Sequence, residues 1–453
     1  MVSERVREQI MAKVGGFVEE ILLWGATGEK DKPLYTLEHK GLETGRKVAQ
    51  VLVQAMVDAL GPGFCGERHV DAQGVERAFK GYPQKTYQTI VGAVRVRAAV
   101  YYKKGGEPEC VYPLRERLGL GAGDYSRGLE EVVALAGVEE VYRKGLRLVN
   151  RLTGAHVSVH KAETTVASWG AEAKAKVKAD LRRPQSTQER IAATRPVPGT
   201  RLCVTTDGTS VQTTAGWRDA KVVSAYAFDE KGKKKDPVAY TATLHYAEDY
   251  GDLAWWLMER TGASRAEKLV WLGDGAAWIR NQQTILAPHA VAIVDFHHGA
   301  DRLFDVGRAL HAREERTAKR WSHKWIRNLY NGKVQALITE LAGQSARLGA
   351  PPPQPDEEDP RKVLADNHRY FGNNADRMAY ARYRALGYPI GSGVAESACK
   401  HLVGVRMKRT ATMEWDEESA EAMLQLRCLS ASEYWEEFWG LDKLWQIIHA
   451  RAS

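Results

Sequence analysis

Residues 201–208 read RLCVTTDG, and residues 268–275 read KLVWLGDG. Each is a short apolar run that ends in Asp-Gly, which is typical of a strand that leads into a turn. Around them the sequence predicts two further strands (VVSAYAF, VAYTATLHY), two helices (DLAWWLMERTG, AAWIRNQQTIL) and a last strand (AVAIVDF). Three consecutive strands followed by alternating helix and strand is the order of an RNase H-like α/β layer. We therefore predict that residues 201–300 form the first part of such a core.

Three acidic residues stand where a nucleic-acid-cutting metal site would need them. Asp207 and Asp274 close the two Asp-Gly runs, and Glu396 lies downstream in YPIGSGVAESACKHLVGVRMKR, which we interpret as a glycine-opened helix. Phosphodiester cleavage needs an activated oxygen nucleophile and compensation of negative charge, and two Mg²⁺ (or Mn²⁺) ions held by carboxylates can provide both. We predict that Asp207, Asp274 and Glu396 are catalytic metal ligands, with Asp207 bridging both ions.

Each acid also has a simpler interpretation. Asp-Gly is a strong hairpin-turn signal, so the segment around Asp207 could be a plain hairpin. That alternative is weaker at Asp274, because the sequence continues with helical spacing. Glu396 could form only an exposed i,i+4 pair with Lys400.

A further strand-end acid occurs in AVAIVDFHHGADRL, where Asp295 and His298 form an Asp-x-x-His pair. One interpretation places this pair at the rim of the acidic site. The other is a structural loop with a hydrogen-bonded imidazole, or a zinc ligand without enough partners. The residues alone leave both open.

Composition favours a polyanionic partner and a reducing compartment. The 453 residues include 65 Lys plus Arg against 57 Asp plus Glu, which gives a formal charge of +8. The five cysteines are scattered, and no CxxC occurs, which argues against a zinc site built on Cys65, His69 and Cys110. No apolar run has the length of a membrane span, so we expect a cytoplasmic protein without a membrane partner.

Two groups of basic residues are candidate DNA contacts. His160 and Lys161 lie on a helix that begins at Ser158, within short helices typical of a helix-turn-helix reader. An ordinary helical bundle with a solvated basic face would give the same pattern.

The second group, Arg406, Lys408 and Arg409, follows Glu396 and is predicted to contact phosphates. Tryptophans also accompany the basic segments of the chain. We expect most of them to be buried, which is their usual fate.

The fold class is therefore predicted to be α/β, with an RNase H-like catalytic core and a mainly α-helical N-terminal region that contains a small β-hairpin. The predicted regions follow the chain in this order: 1–60 helical; 61–120 a small β-hairpin region like a degenerate zinc ribbon; 121–182 helix-turn-helix-like and DNA-binding; 183–200 a linker; 201–300 the first part of the core; 301–386 a helical insertion; 387–428 the catalytic helix completing the core; and 429–453 a helical tail.

Residues 388–427, YPIGSGVAESACKHLVGVRMKRTATMEWDEESAEAMLQLR, resemble the ISKra-type family of bacterial insertion-sequence transposases, which are relatives of the mutator-like group. The likeness extends through TTDGTSVQTTAGWRDAKV, WLGDGAAWI, DFHHGADRL and, more faintly, PLRERLGLGAGDYSRGLEEVVALAG. The resemblance implies a DDE transposase with its triad at Asp207, Asp274 and Glu396 and a helical insertion before the glutamate. It also implies that Asp295 and His298 match an Asp-x-x-His element of mutator-like enzymes.

The same resemblance implies the partners. They are double-stranded DNA, as terminal inverted repeats and as target, and further copies of the chain in a homodimer or higher oligomer, in the bacterial cytoplasm at the nucleoid. Two features depart from the family pattern: only Cys65 and Cys110 remain of its paired cysteines, and Arg115 replaces an expected acid. A structure-specific endonuclease on the same fold, and a domesticated DNA-binding protein without catalysis, are the alternatives.

Overall fold

The fold is mixed α/β, as predicted. The computed structural model describes residues 4–27, 33–181, 196–245, 247–391, 393–410 and 412–449. The chain divides into two compact units, Met1–Val166 and Ala167–Ser453, and the division falls within one helix. Within the described ranges, no helix combines the length and the apolar character needed to cross a lipid bilayer.

The first unit combines helices with two small antiparallel sheets. The four-stranded sheet has the order β1-β2-β5-β6, and β3 pairs with β4 as a hairpin. The elements are α1 (Glu4–Ala26), α2 (Leu34–Ala59), β1 (Arg68–Val70), β2 (Glu76–Gly81), β3 (Gln84–Thr89), β4 (Gly92–Arg97), β5 (Val100–Tyr102), β6 (Cys110–Val111), α3 (Pro113–Arg117), α4 (Arg127–Glu139), α5 (Tyr142–Thr153) and the start of α6 (Val159–Asp180). Helices occupy residues within 1–60 and a hairpin lies within 61–120, whereas the four-stranded sheet in the second of these regions was not predicted.

Helix α2 packs on β4 through two glutamines that satisfy the strand's free edge. The side-chain amide of Gln54 donates to the carbonyl of Arg95 at 2.8 Å and accepts from its N–H at 2.8 Å. Gln50 donates to the carbonyl of Ala93 at 2.6 Å. Because an edge strand exposes unpaired backbone groups, these bonds replace the partner strand that β4 lacks.

Short capping signals set the ends of α4, α5 and α6. The hydroxyl of Ser126 accepts from Leu129 N–H at the start of α4, and that of Ser158 accepts from Lys161 N–H at the start of α6. Helix α5 ends at Gly154, whose φ of 70° is the left-handed conformation that glycine adopts most easily. The three helices are therefore where the sequence predicts them, and a helix-turn-helix role stays a prediction.

The second unit contains a five-stranded sheet and the larger set of helices. Its elements are β7 (Val197–Thr213), β8 (Gly216–Phe228), β9 (Lys234–Thr243), α7 (Ala247–Thr261), β10 (Ala266–Gly273), α8 (Ala277–Leu286), β11 (Val291–Val294), α9 (Phe296–Leu310), α10 (Glu315–Tyr330), α11 (Val334–Leu348), α12 (Pro360–Asn374), α13 (Tyr380–Ala385), α14 (Gly393–Ala398), α15 (Val405–Met407), α16 (Glu417–Ala431), α17 (Trp435–Trp439) and α18 (Leu441–His449). Strand β7 begins inside the predicted 183–200 linker, of which residues 183–195 lie outside the described residues.

The sheet has the order β11-β10-β7-β8-β9. The β7–β8 and β8–β9 pairs are antiparallel, whereas β10 pairs in parallel with both β7 and β11. Side chains alternate between two buried faces: Val270 and Leu272 join the apolar cluster that includes residues of α9–α13, and Leu269 and Trp271 join the cluster that includes α7 and α8. A strand covered on both faces has to be apolar throughout, which explains the uninterrupted run LVWL.

The prediction that the first strand of the core ends at Asp207 is wrong. Strand β7 continues to Thr213 and pairs Asp207 with Val222 and Gly208 with Lys221. The hairpin turn lies at Thr213–Gly216 instead, so the alternative of a turn at Asp207–Gly208 is also wrong. Long-range pairing with β8 overrides the local turn preference of Asp-Gly.

The segment predicted to be one catalytic helix is interrupted. After α14 the backbone forms a π-helical turn over Cys399–Gly404 and then the short α15. Helix α14 packs against β7 and β8, and the π turn also packs against β7. Such turns occur frequently at functional sites, because they displace side chains from their regular helical positions.

A buried carboxylate joins α16 to the sheet. Glu421 is 4% exposed and accepts hydrogen bonds from the hydroxyl of Thr243 at 3.0 Å and from Leu244 N–H at 2.8 Å. Lys174 of α6 lies 3.1 Å from the same carboxylate, and Gln425 donates to it at 3.1 Å. The charge is thus fully surrounded by donors, which is the condition for tolerating it in an interior.

We expect Glu421→Ala to lower the free energy of unfolding by about 2–4 kcal/mol, because several buried donors lose their acceptor. The matched variant Glu421→Gln keeps the shape and one acceptor oxygen and should lose about half as much. Urea unfolding of both variants measures the difference. Equal stability of wild type and Glu421→Ala would contradict this account of the network.

Candidate active site

Three aspartates lie along one edge of the central sheet. The last parallel pair between β7 and β10 is Thr205 with Leu272, so Asp207 and Asp274 follow that pair by two residues each. On the other side of β10, Asp295 directly follows β11, and its backbone N–H donates to the end of β10 at 2.8 Å. Since neighbouring strands are about 5 Å apart, the three residues stand side by side at the carboxyl ends of β10 and β11.

Asp207 lies in a partly buried position with other ionisable groups around it. Burial raises the pKa of its carboxyl group, and the nearby carboxylate of Asp274 raises that pKa further. Hydrogen bonds from Gly208 N–H, at 2.8 Å, and from the thiol of Cys399 act in the opposite direction, as does the charge of His298. Two carboxylates held this close in a partly desolvated place favour a bound cation.

The backbone around Asp274 is held by local and distant contacts. Its carboxylate accepts from Ala276 N–H at 2.7 Å, and its carbonyl accepts from the hydroxyl of Tyr370 at 2.7 Å. The next residue, Gly275, has a φ of 92°, and a Cβ there would lie 2.9 Å from the Tyr370 ring. Glycine is required after Asp274 both by the backbone conformation and by this close approach.

Asp295 and His298 have separate roles. Asp295 is 2% exposed, and its carboxylate accepts from His297 N–H at 2.6 Å as the N-cap of α9. His298 lies in the first turn of α9 and acts electrostatically on Asp207. The cap gives Asp295 a contact with the helix backbone, while His298 stands near the acidic site.

Among the described residues, Glu396 is not grouped with the two aspartates. Its side chain is exposed on α14, three residues before Cys399. Across the described part of the chain, no three His, Cys, Asp or Glu side chains are grouped so that they could hold one metal ion. The structure therefore brings Asp207, Asp274 and His298 together, with Cys399 as the residue of this segment that contacts Asp207.

Lys408 lies at the same place. Its ammonium group donates to the hydroxyl of Thr209 at 2.5 Å, and burial lowers its pKa, opposed by the nearby Cys399. Cys399 itself is buried, and burial raises the pKa of its thiol, as does the carboxylate of Asp207. A protonated thiol therefore borders the carboxylate of Asp207, and the ammonium group of Lys408 lies near that thiol. Cys399 was not predicted as a site residue, although its i,i+3 spacing from Glu396 indicated a shared helix face.

The other predicted DNA contacts differ in exposure. Arg406 is 2% exposed and stacks on Trp415, with its guanidinium carbon 5.0 Å from the ring centroid. The prediction that Arg406 contacts phosphate is corrected, because its side chain lies in the interior. Arg409 and His160 are exposed and Lys161 is half-buried, so these three can be reached from solvent.

The tryptophans near the basic segments follow the expected pattern, since Trp325 and Trp415 are buried and Trp321 packs partly buried against the same cluster as Trp325. In the first unit, Cys65 and Cys110 are exposed thiols. They form no potential metal-ligand group with His69 or other described side chains.

The fold and this edge define a mixed α/β protein with two neighbouring carboxylates, Asp207 within β7 and Asp274 just after β10. The chain belongs to an uncharacterised protein family, UPF0236, whose model matches residues 33–433. The match includes Asp207, Asp274, Asp295 and Glu396. No curated protein matches the chain.

Proposed function

We propose that this protein is a DNA transposase that cuts the ends of its element and joins them to target DNA at the site of Asp207 and Asp274. The observation that carries the proposal is the adjacency of these two carboxylates on neighbouring strands. Three antiparallel strands followed by two parallel ones, with helices between, support an RNase H-like core. Helices α9–α13 stand where the helical insertion before Glu396 is expected.

The donor set suits a hard divalent cation. Asp207 and Asp274 would hold Mg²⁺ or Mn²⁺, and Glu396 would complete the ligand set. When bound, two such ions supply an activated oxygen nucleophile and neutralise charge on the phosphate. Burial raises the pKa of Asp207, and the carboxylate of Asp274 adds a smaller contribution in the same direction. A bound cation would offset both effects, which supports this fit.

The residues around the two aspartates would position the neighbouring side chains and neutralise the charge of a bound phosphate. The N-cap at Asp295 fixes the first turn of α9 and so the position of His298. Lys408 places a positive charge beside Thr209, where the phosphate of a bound strand would approach. Water would break a P–O bond at the element end and leave a 3′-hydroxyl. That hydroxyl would then attack a target phosphodiester and release a target 3′-hydroxyl, so one site serves two in-line displacements.

The proposed partners are the terminal repeats of the element, a target duplex and further copies of this chain. Exposed His160 and neighbouring Lys161, at the start of α6, are the proposed repeat-reading contacts. A paired-end reaction requires at least two copies of the protein, since each DNA end needs a site.

The direct test is cleavage and joining of candidate ends. Plasmids carrying both flanks of the coding sequence are incubated with the full-length protein and Mg²⁺, Mn²⁺ or EDTA, and nicks are mapped by primer extension. We expect nicks at the repeat ends only with a divalent cation, and joined products when a target plasmid is added. Plasmids with scrambled flanks serve as the control.

The two alternatives give different products. Equal cutting of both plasmids, directed by branches or flaps without joining, would identify a structure-specific endonuclease. Specific binding of the flanks that is insensitive to divalent cations and gives no product would identify a non-catalytic DNA-binding protein. Either result would overturn the proposed transposase activity.

A further inference from the structure

A cavity of about 560 Å³ opens beside Asp274. Its wall begins at Gly275, the residue after that aspartate, and continues over α8, α9 and α12. Four arginine side chains line this cavity, which we call the arginine cavity: Arg280, Arg302, Arg369 and Arg377. The volume lies within the range of small-ligand sites and exceeds that of a single water molecule many times over.

Carboxylates compensate only part of this positive charge. Asp366 lines the cavity and pairs with Arg369 at 2.6 Å. Asp376 pairs with Arg280 at 3.2 Å. Two of the four guanidinium groups therefore have no carboxylate of their own within the cavity.

Arg377 is one of these two. It is 9% exposed, and its Nε has no hydrogen-bond acceptor among the described residues. The nearest carboxylate, Asp376, is 4.0 Å away and already paired with Arg280. Burial lowers the pKa of Arg377, and the positive charge of Arg280 lowers it further. A buried guanidinium with an unused donor is costly unless an acceptor reaches it.

Arg302 is the other. Its guanidinium carbon lies 3.9 Å from the ring centroid of Tyr370. Among the described residues, the ion pairs around this cavity involve the other three arginines and not Arg302. The hydroxyl of Tyr370 donates to the carbonyl of Asp274 at 2.7 Å. The same ring therefore fixes the guanidinium of Arg302 relative to the candidate active site.

We propose that the arginine cavity binds a phosphate group of the DNA strand whose adjacent phosphodiester lies at Asp207 and Asp274. Planar guanidinium groups match phosphate oxygens in geometry and in charge, and they are the residues most often used for this purpose. The inference rests on the proposed function for the identity of the strand. A phosphate held in the arginine cavity would set which bond of that strand reaches the carboxylates.

The test measures DNA affinity of Arg302→Gln without catalysis. Anisotropy of a labelled duplex is titrated in EDTA at several salt concentrations, with full-length protein. We expect Arg302→Gln to bind about tenfold more weakly, with a salt slope reduced by about one. The matched control is Arg308→Gln, on the same helix, whose side chain is exposed and pairs with Asp305; its affinity should stay near wild type. Unchanged affinity and salt slope in Arg302→Gln would overturn the proposal.

A second variant and a competitor complete the design. Arg377→Gln should weaken DNA binding in the same way, and its folding is checked by thermal unfolding. If Arg377→Gln does not fold, the result for Arg302→Gln decides the test. Inorganic phosphate tests the other source of the same chemistry: phosphate binding lost in Arg302→Gln, with duplex affinity unchanged, would overturn a DNA-strand site. These binding measurements do not depend on cleavage. If the wild-type protein cuts no DNA, the proposed transposase activity is refuted. If Arg302→Gln nevertheless binds the duplex more weakly than wild type, the DNA-phosphate site is still supported.

Discussion

Asp207→Asn is expected to reduce divalent-cation-dependent DNA cleavage by about 10³-fold or more and to leave DNA affinity within about twofold of wild type. The variant removes one anionic ligand from the pair with Asp274, and a thousandfold loss corresponds to about 4 kcal/mol of transition-state stabilisation. The basic surface proposed to bind DNA is unchanged by the substitution. Cleavage of end-containing plasmid and duplex anisotropy measure the two quantities.

The same variant should raise Tm by about 1–3 °C at neutral pH without divalent cations. Burial and Asp274 raise the pKa of Asp207 in the folded protein, so its ionised form lowers the free energy of unfolding. The gain should vanish below the ordinary aspartate pKa of about 3.9 and develop as pH rises through the raised value. The matched control is Asp219→Asn, at an exposed position of β8, and cleavage by Asp207→Asn at the Asp219→Asn rate would contradict the assigned role.

Glu396→Gln is expected to abolish cleavage to a similar degree, again with DNA affinity retained. Helix α14 packs on β7 and β8, and Glu396 stands three residues before Cys399, which contacts Asp207. Because α14 lies against the strand that carries Asp207, we expect Glu396 to reach the carboxylates when cation and DNA bind.

The control for that variant is Glu418→Gln, an exposed glutamate on α16 that should cleave at the wild-type rate. If Glu396→Gln also cleaves at that rate, Glu396 is not a ligand, and the site consists of the strand aspartates without it.

Local sequence patterns predict most elements of this fold. Apolar spacing indicates α1, α2 and the β3–β4 hairpin, and alternation of strand and helix indicates the sheet. The extent of β7 could not be predicted, because Asp207–Gly208 carries a turn signal of its own. Asp207 and Gly208 pair with Val222 and Lys221 of β8, which are 13 or more residues away along the chain, and only this pairing shows that β7 continues.

The candidate site divides in the same way. The order of β7, β10 and β11 is legible in the sequence, so the common edge of Asp207, Asp274 and Asp295 could be predicted. The places of Tyr370 and Arg369 could not be predicted, because α12 brings these two side chains close to Asp274 from about 100 residues downstream. The arginine cavity also takes Arg280 from α8 and Arg302 from α9, and only the packing of these helices brings them together.

The burial of Arg406 could not be predicted from the sequence either. A basic residue after Glu396 suggested phosphate contact, whereas stacking on Trp415 places its guanidinium inside the protein. Which side of a helix faces the core depends on the neighbour it packs against, and that neighbour is set by tertiary structure.

The central claim is that Asp207 and Asp274 together hold a divalent cation. Electron paramagnetic resonance of Mn²⁺ titrated into the DNA-free protein measures this directly, because bound Mn²⁺ loses the signal of the free ion. We predict that wild type and Asp219→Asn bind Mn²⁺ and that Asp207→Asn and Asp274→Asn lose this binding. Identical titrations for all four proteins would contradict the claim.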